Sequence, residues 1–298
     1  MKNYENSDME LSIIIVSWNT RQTTCDCIRS IYGQPSKVDY EVIVVDNASS
    51  DGSVDMVNRE FPEVIIISNS ENRGFAAANN QGIAVAQGRY VLLLNSDTIV
   101  LDGAIDKVVA FADTHPKAGI TGCRVLNEDK TLQLSCFMFP SVLNMTLWIT
   151  YLFKLFPRSR FFGRERMTWW DRDDVREVDV LTGCFMLVRR ESLEQVGLMD
   201  ERFFMYFEET DWCYRFKQEG WKVMFTPNAE IIHLGGASSK QIRAAMVKQW
   251  RKSMLLFFKK HKSISEYLSA WFLIMLFLLT RVPYRWLRRV ESRPLVDG

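Results

Sequence analysis

The sequence predicts an α/β protein with a mostly parallel central sheet, helices on both faces of that sheet, and further amphipathic or hydrophobic helices at the C-terminal end. The first observation behind this is alternation. Between residues 11 and 122, short aliphatic runs alternate with segments of helical length, as in repeated strand–helix units. The second is a change near residue 240, after which long apolar and basic stretches replace the short strands. We therefore expect one domain over residues 1–240 and a helical region over residues 241–298.

The elements of the first half follow one another in a regular order. The predicted strands are rich in Val, Ile and Leu, and most of them end in a polar residue that begins a turn. Strands are predicted over residues 11–17, 41–46, 64–68, 90–95 and 118–121, and helices over residues 20–32, 53–60, 75–86 and 103–114. Further along, the sequence predicts strands over residues 185–188 and 230–232 and a helix over about 208–220.

Charge and cysteine usage exclude some classes of protein. The formal net charge of +1 argues against a dedicated nucleic-acid-binding protein, which would normally be strongly basic. The six cysteines have no paired CxxC spacing that would indicate a zinc site or a disulfide framework, so we expect them to be reduced. Because the N-terminus is polar and lacks an apolar signal region, the catalytic part is expected in the cytoplasm.

Polar side chains follow each of the first four predicted strands. Because the carboxyl ends of parallel strands meet at one edge of a sheet, these loops would together form a nucleotide-binding crevice. The residues are Ser17 and Asn19, then Asp46, then Asn72, Gly74 and Asn79, then Ser96 and Asp97. Ordinary caps and turns use the same residue types, and Asp97 in isolation would simply close a turn. The first strand is followed by neither a Gly-x-Gly-x-x-Gly fingerprint nor a P-loop, which disfavours dinucleotide binding.

Seven short motifs occur in order across residues 11–240. They are Ile15-Val16-Ser17-Trp18-Asn19, Val44-Val45-Asp46-Asn47-Ala48-Ser49, Asn72-Arg73-Gly74-Phe75, Leu94-Asn95-Ser96-Asp97, Thr182-Gly183, Phe204-Met205-Tyr206-Phe207-Glu208-Glu209-Thr210-Asp211 and His233-Leu234-Gly235-Gly236. Each motif is weak alone, but together they make the chain resemble the inverting glycosyltransferases of family 2, which have the GT-A fold. The chain is most similar to bacterial rhamnosyltransferase-type members that build surface polysaccharide.

The resemblance implies a nucleotide-binding half over about residues 11–122 and an acceptor-binding half over about residues 123–240. In the first half, Ser17 and Asn19 would line the nucleotide and Asp46 would contact the base. Many relatives carry an arginine that faces the donor at the position of Asn79. The other residues implied on the donor side are Asn72, Gly74, Ser96 and Asp97.

The resemblance also implies a divalent metal bound to the donor diphosphate. Asp97 matches the last acid of the DxD signature of the family, whereas Asn95 replaces its first Asp, and His233 would be a second ligand. Mg²⁺ or Mn²⁺ needs few protein ligands when substrate phosphates supply the rest, and an imidazole suits Mn²⁺ somewhat better. The alternative for His233 is a core histidine at the end of its strand.

Three acids, Glu208, Glu209 and Asp211, open the helix predicted after an aromatic run. The backbone dipole favours acids in a first helical turn, so simple capping is one interpretation. Sugar transfer with inversion, however, needs an ionised carboxylate to take the proton of the acceptor hydroxyl, and a helix N-terminus would keep it ionised. The resemblance implies that Glu209 is this base, with Glu208 in reserve, and that Asp211 orders the site by pairing with Arg215.

Two segments are candidates for the acceptor side. The resemblance places Thr182 and Gly183 beneath the acceptor. Trp169, Trp170 and Asp171 would form part of a wall on which a sugar stacks, or alternatively the tryptophans would belong to a packed aromatic cluster.

The C-terminal region predicts contact with a membrane. Its apolar core, residues 267–280, would span about 20 Å as a helix, short of the roughly 30 Å of hydrocarbon, so we expect it to lie in the interface or re-enter. Flanking basic residues and the aromatic residues Trp271, Tyr284 and Trp286 suit such an interface. The alternative is a hydrophobic interface in a homo-oligomer. Residues 142–156 are a second apolar segment, which would lean on the same membrane or belong to the core.

These expectations describe a metal-dependent inverting glycosyltransferase, peripheral or monotopic at the cytoplasmic face of the cell membrane. The resemblance suggests transfer of rhamnose from dTDP-rhamnose to a lipid-linked saccharide during synthesis of cell-surface polysaccharide. Two alternatives stay open. A sugar-phosphate nucleotidyltransferase shares the α/β core but should open with a Gly-rich loop bearing Arg or Lys, which this chain lacks. A non-catalytic scaffold would keep the fold and hold partners at the membrane.

Overall fold

The computed structural model describes residues 9–156, 158–235 and 243–291 and, in the last of these ranges, the side chains of residues 245–279. Its strands are β1 Leu11–Ser17, β2 Tyr40–Asp46, β3 Ile65–Ser68, β4 Tyr90–Asn95, β5 Thr98–Val100, β6 Ala118–Leu126, β7 Cys136–Phe137, β8 Arg176–Glu177, β9 Val180–Leu181, β10 Phe185–Arg189 and β11 Lys222–His233. Its helices are α1 Arg21–Tyr32, α2 Ser53–Glu60, α3 Phe75–Val85, α4 Ala104–Thr114, α5 Val142–Ile149, α6 Leu152–Leu155, α7 Arg190–Val196, α8 Glu208–Gln218, α9 Arg243–His261 and α10 Ile264–Glu291.

One large sheet has the strand order β3-β2-β1-β4-β10-β6-β11-β5, and β8 pairs with β11. Strands β1 to β4 are mutually parallel, and β10 runs antiparallel to both of its neighbours. The register pairs Ser17 with Asp46, Asp46 with Ser68, and Val16 with Asn95. The carboxyl ends of the first four strands therefore meet at one edge. The predicted mostly parallel sheet, with its polar loops at a common edge, is confirmed.

Helices cover both faces of the sheet, as predicted. One core cluster packs α1, α2 and α4 on one face, and another packs α3, α7 and α8 on the other. Helix α3 comes very close to β1 because residue 82 is glycine, where an added Cβ would lie 2.6 Å from Ile14 Cγ2. A third cluster joins α9 and α10 to α5 and to the segment before α8. The C-terminal helices thus share a core with the rest of the chain.

Helix α10 leaves one apolar side uncovered. Ile264, Leu268, Phe272 and Leu279 are all more than half exposed, and their spacing places them along one face of the helix. Among the helices described, none combines the length with the apolar composition needed to cross a bilayer.

Predicted and observed elements agree best in the first half, where β1, α2 and β4 have their predicted bounds and β2, β3, α1, α3 and α4 differ by one residue. Strand β6 instead continues for five residues beyond its predicted end. In the second half, β10 and α8 occur where a strand and a helix were predicted, whereas only the last part of β11 was predicted. Its pairing with β6 shifts between Thr226 and Glu230, where Pro227 has no N–H to donate to the ladder. That interruption hid the length of the strand.

Candidate active site

A cleft of about 290 Å³ opens at the carboxyl edge of the sheet, between the strand ends and the start of α8. Many residues predicted for the site line it, namely Asn72, Gly74, Ser96, Asp97, Thr182, Gly183, Glu208, Glu209 and His233. The remaining ones do not line it, namely Ser17, Asn19, Asp46, Asn79, Trp170 and Asp211. The cleft thus brings four of the eight predicted donor residues together with the predicted metal ligands and the two candidate bases.

Asp97 and His233 face each other in this cleft. Asp97 lies in the two-residue turn between β4 and β5, and His233 ends β11, which pairs with β5. Asp97 Oδ1 is 3.2 Å from His233 Nε2. His233 Nδ1 lies 2.6 Å from Gln133 Oε1, and because an amide oxygen only accepts, Nδ1 donates this hydrogen bond. Nε2 is the ring nitrogen that faces the carboxylate, and a carboxylate oxygen and an imidazole nitrogen placed in this way can both ligate a cation.

The two side chains Asp97 and His233 fit a metal ion that takes its other ligands from a bound substrate. No group of three or more His, Cys, Asp or Glu side chains within the described parts of the chain is arranged to hold a metal. One carboxylate and one imidazole are nevertheless sufficient for Mg²⁺ or Mn²⁺ when phosphate oxygens complete the coordination. Asn95 Nδ2 lies 3.3 Å from the same His233 Nε2, so the residue that replaces the first acid of the signature also faces this point.

Helix α8 begins in the cleft wall, after two residues in an uncommon backbone conformation. Tyr206 and Phe207 have φ angles of 65° and 69°, in the left-handed region that residues with a side chain rarely adopt. The ring of Phe207 packs at centroid distances of 5.7 Å from Trp250 and 6.1 Å from Phe257, both on α9. Packing against α9 therefore holds a strained turn that aims Glu208 into the cleft.

The two carboxylates at the start of α8 are poised for proton transfer. Glu208 Oε2 and Glu209 Oε2 are buried and have no hydrogen-bond partner among the residues that the structure describes. Burial, and then the neighbouring Glu209, raise the pKa of Glu208 well above its ordinary value. Burial also raises the pKa of Glu209 to about 7, although backbone N–H groups at the helix start lower it. The expectation that the helix N-terminus keeps this base fully ionised is therefore corrected, since burial outweighs the dipole.

Asp211 lies one turn further along α8 and outside the cleft. Its fully buried carboxylate is 2.9 Å from Arg215 Nε, 2.7 Å from Lys260 Nζ and 2.6 Å from His261 Nε2. Burial raises the pKa of Asp211, but the hydrogen bonds from His261 and Lys260 and the charge of Arg215 lower it more, so its net shift is downwards. The predicted pairing with Arg215 is present, and the two partners from α9 join α8 to that helix.

Gly74 fixes the donor-side loop against the segment before α8. Its φ is 85°, and a Cβ at this position would collide with the backbone oxygen of Phe204. That oxygen accepts a hydrogen bond of 2.8 Å from the N–H of Phe75. Asn47 Nδ2 in turn donates to the carbonyl of Gly74 at 3.1 Å. Asn47 also lines the cleft.

Several residues predicted to contact the donor instead build the loops beneath it. Ser17 is buried and shares hydrogen bonds with two threonines at the start of α1. Asn79 donates to a backbone carbonyl one turn earlier in α3, and Asn19 accepts from the N–H of Ser50. Asp46 differs, because its buried Oδ1 has no hydrogen-bond partner in the described residues. A hydrogen-bond acceptor thus remains at the end of β2.

Trp170 does not belong to the cleft. It is buried, its ring packs edge-on against Phe225 at 4.9 Å, and its Nε1 donates to Asp174. The interpretation of Trp170 as part of a sugar-stacking wall was wrong, and the alternative of a packed aromatic cluster describes it.

The cleft also contains residues that the sequence analysis did not assign. Trp18 and Tyr206 line the cleft and belong to two of the seven motifs given above, so membership of a motif could have identified them. Met246 comes from α9, and no local pattern connects it with the strand ends.

Comparisons with known proteins agree with this geometry. The family model described as glycosyl transferase family 2 matches residues 12–197. An N-acetylglucosaminyl-diphospho-decaprenol L-rhamnosyltransferase of Mycobacterium tuberculosis is 28% identical over 262 residues, which cover 83% of this chain and 79% of that protein. The UDP-Glc:alpha-D-GlcNAc-diphosphoundecaprenol beta-1,3-glucosyltransferase WfaP of Escherichia coli is 33% identical over 108 residues, which cover 36% of this chain and 43% of that one.

Solved structures resemble the fold at lower identity. The mannosyltransferase PcManGT of Pyrobaculum calidifontis, in complex with GDP-Man and Mn²⁺, superposes with a TM-score of 0.57 at 19% identity, and the match covers 86% of this chain and 64% of that one. GalNAc-T7 with UDP, GalNAc and Mn²⁺ gives a TM-score of 0.56 at 17% identity, over 76% of this chain and 44% of that one. These similarities establish the GT-A fold.

Proposed function

Because the chain belongs to glycosyl transferase family 2, we propose that it transfers one sugar, with inversion, from a nucleoside diphosphate to a lipid-linked saccharide. The observation that carries this proposal is the cleft. It combines Glu208 and Glu209, each with a buried oxygen that has no hydrogen-bond partner in the described ranges, with the facing pair of Asp97 and His233. Such a transfer needs a base that takes the proton of the acceptor hydroxyl, and it needs a cation that binds the donor diphosphate.

In the proposed reaction, the acceptor hydroxyl donates a hydrogen bond to the Glu209 carboxylate. The oxygen of this hydroxyl attacks the anomeric carbon of the donor sugar from the face opposite the diphosphate, and its proton passes to Glu209. At the same time, the bond between the anomeric carbon and the diphosphate oxygen breaks. The departing group is the nucleoside diphosphate. Gly183 lets the ring of Phe75 pack closely against the proposed acceptor side of the cleft, because a Cβ there would lie 3.2 Å from Phe75 Cε1.

The proposed cofactor is Mn²⁺ or Mg²⁺, held by Asp97 and His233. It would offset the negative charge that develops on the departing diphosphate. Within the motif Leu94-Asn95-Ser96-Asp97, Asp97 is the only acidic residue, because Asn95 replaces the first Asp of the family signature. Phosphate oxygens of the donor would therefore contribute a large share of the coordination.

The proposed donor is dTDP-rhamnose, and the proposed acceptor is a diphosphate-linked saccharide on a polyprenyl chain. The mycobacterial relative is named for an acceptor of this kind and for rhamnose, and the Escherichia coli relative for a similar acceptor and glucose. Family membership disfavours the alternative of a sugar-phosphate nucleotidyltransferase.

We further propose that the protein acts at the cytoplasmic face of the cell membrane, in a peripheral or monotopic position. The exposed apolar side of α10 supports this, since a lipid surface would cover it. All six cysteines are free and buried, in keeping with a reducing compartment.

Nucleotide release by the purified protein in detergent tests the function. Donors would be dTDP-, UDP- and GDP-sugars, with and without Mn²⁺, in the presence of lipid extract that contains polyprenyl-linked saccharides. We expect release from one donor, dependent on both metal and acceptor. Silence across the panel, together with absence of nucleotide binding, would favour the non-catalytic scaffold. Release from a UDP- or GDP-sugar alone would retain the transferase and replace rhamnose.

A further inference from the structure

A second concavity, of about 540 Å³, lies beside the cleft among α5, α9 and α10. We call it the aromatic groove, because Trp148, Trp250 and Phe277 form a continuous wall in it. The ring of Trp148 lies 6.0 Å from that of Trp250 and 5.1 Å from that of Phe277. Tyr206 and Met246 line both the aromatic groove and the cleft. The two spaces therefore adjoin.

Charged side chains also line the aromatic groove. Arg166 and Arg251 line the aromatic groove, and no carboxylate in the described ranges lies within ion-pair distance of either guanidinium. Glu165 lines it as well, and burial raises the pKa of its carboxyl, but this one acid is outnumbered by the two guanidinium groups even when it is ionised. The charge of the groove is therefore positive, and it suits an apolar ligand that carries an anionic group.

We propose that the aromatic groove binds the first isoprene units and the diphosphate of the lipid-linked acceptor, while its saccharide occupies the cleft. This inference rests on the proposed function, and it adds a binding site for the lipid part. Three observations carry it: the wall shared with the cleft, the aromatic lining, and two guanidinium groups that have no carboxylate partner among the residues described. With the saccharide in the cleft, the adjoining lipid lies at the aromatic groove, and an apolar lining keeps that part of the lipid out of water.

The route from the membrane follows α9 and α10. On α9, Met246, Trp250 and Met254 line the aromatic groove at intervals of one helical turn, so it extends about 12 Å along this helix. On α10, Ile274 and Phe277 line it, whereas the exposed residues Phe272 and Leu279 lie on the opposite side of this helix. The exposed Trp271 lies between these two sides, so apolar residues continue around α10 from its exposed side to the aromatic groove.

Binding of farnesyl diphosphate tests the proposal without requiring sugar transfer. Radiolabelled farnesyl diphosphate, below its critical micelle concentration, would be equilibrated with the full chain by dialysis in the absence of divalent metal, so that the proposed metal site of the cleft does not retain its diphosphate. The variant Val247→Trp fills the mouth of the aromatic groove, and Val247 is 47% exposed, so the fold should tolerate the larger ring. We expect at least a tenfold loss of affinity in this variant.

The matched control is Val85→Trp, the same substitution at a residue that is 44% exposed and lies at the end of α3. It should bind farnesyl diphosphate like the parent protein. Equal affinity in Val247→Trp and the parent, or no saturable binding to the parent, would overturn the proposal. Arg251→Gln should weaken binding of farnesyl diphosphate but not of farnesol, whereas Lys252→Gln, at an exposed neighbour outside the groove, should change neither. If Arg251→Gln and Lys252→Gln lose affinity for farnesyl diphosphate equally, the aromatic groove does not bind the diphosphate through Arg251.

Failure of this inference and failure of the proposed function are distinguishable. If no donor is turned over but Val247→Trp still abolishes prenyl binding, the aromatic groove stands and the transferase falls. If transfer occurs, Val247→Trp should raise KM for a decaprenyl-linked acceptor more than for one with an octyl chain. An equal rise for both chains would contradict the assignment of the groove to lipid while leaving the transferase in place.

Discussion

Asp97 is a nearly buried carboxylate whose Oδ1 lies 3.2 Å from Nε2 of His233. Substitution by Asn preserves its shape and removes its charge, so a metal-bound diphosphate would lose its main anionic ligand. We expect Asp97→Asn to lower kcat/KM by at least about 10²-fold, the scale of losing one group that stabilises transition-state charge. Nucleotide release measured across a Mn²⁺ titration tests this.

The control for Asp97 is Asp129→Asn, the same change in an exposed loop. Both variants should melt at a temperature close to that of the parent protein. Undiminished, metal-dependent release by Asp97→Asn would remove Asp97 from the metal site. The complementary change Asn95→Asp would restore a second acid beside His233, and it should lower the Mn²⁺ concentration needed for half-maximal activity.

Glu209 predicts a dependence of activity on pH. The base must be deprotonated to accept the acceptor proton, and burial raises its pKa to about 7. The rate should therefore fall as pH decreases through about 7. Glu209→Gln should retain nucleotide binding and lose turnover at every pH. If turnover survives in Glu209→Gln but not in Glu208→Gln, Glu208 is the base.

The same pKa makes a prediction about stability. A carboxyl whose pKa is higher in the folded state stabilises the fold at low pH, and this contribution is lost as pH rises from its ordinary value of 4.5 through about 7. Without donor or metal, Glu209→Gln should therefore be more stable than the parent protein at pH 8. That difference in the free energy of unfolding should shrink towards pH 5. A difference independent of pH would contradict the assigned shift.

At the residue scale, the sequence identified the acids better than the loops around them. Asp97, Glu208 and Glu209 stand where a buried run ends, a local signal that a single sequence carries. Ser17 and Asn79 stand in equally suggestive positions, yet their side chains make local hydrogen bonds beneath the cleft. Whether a polar residue points into a cleft or along its own loop depends on tertiary packing, which the sequence pattern does not contain.

At the scale of elements, α8 and α9 are joined by the fully buried Asp211. Asp211→Asn would leave Lys260 and Arg215 beside an uncharged amide in a buried place. We expect it to destabilise the protein by about 3 kcal/mol, as in other broken buried ion pairs. Chemical denaturation measures this. Asp113→Asn removes a carboxylate from a partly exposed pair with Arg89 and should cost less than about 1 kcal/mol.

A structural link between α9 and the base would also affect catalysis. Ser253 Oγ on α9 donates to the carbonyl of Met205 at 2.8 Å, and Phe207 packs against the same helix. Asp211→Asn should therefore lower kcat at temperatures where the variant remains folded. Unchanged kcat in the folded variant would limit Asp211 to a role in stability.

The elements of residues 11–122 were predictable because most of these strands and helices are long enough to show their own period. Strands β7, β8 and β9 have two residues each and exist because a neighbouring strand pairs with them. No local pattern announces such short strands. The contact between Asp211 and His261 spans 50 residues of sequence, and its signal lies in the fold alone.

At the scale of the whole molecule, the cleft, the aromatic groove and the exposed side of α10 follow one another. The cleft shares Tyr206 and Met246 with the groove, and the groove takes part of its wall from α10. A peripheral enzyme arranged in this way would meet its lipid-linked substrate through α10 and its soluble donor through the sheet edge. Membrane association would then be a condition for activity on a natural acceptor.

Vesicle binding tests that arrangement. The exposed side of α10 should insert Leu268 and Phe272 among lipid chains, and Lys248, Lys252 and Lys259 on α9 add positive charge. We expect the protein to sediment with anionic vesicles, more weakly with zwitterionic ones, and less as salt increases, because salt screens the attraction of lysine for headgroups.

The double variant Leu268→Asp/Phe272→Asp should remain in the supernatant, whereas the control Val85→Asp/Leu198→Asp, at exposed residues of other elements, should still sediment. The α10 variant should lose activity on a polyprenyl-linked acceptor in vesicles and regain it on the same acceptor in detergent, because detergent removes the need to reach a bilayer. Loss of activity in both media would place these residues in substrate binding. If the α10 variant sediments like the parent protein, the apolar side of α10 does not bind the membrane, and an interface between copies of the chain becomes the favoured interpretation.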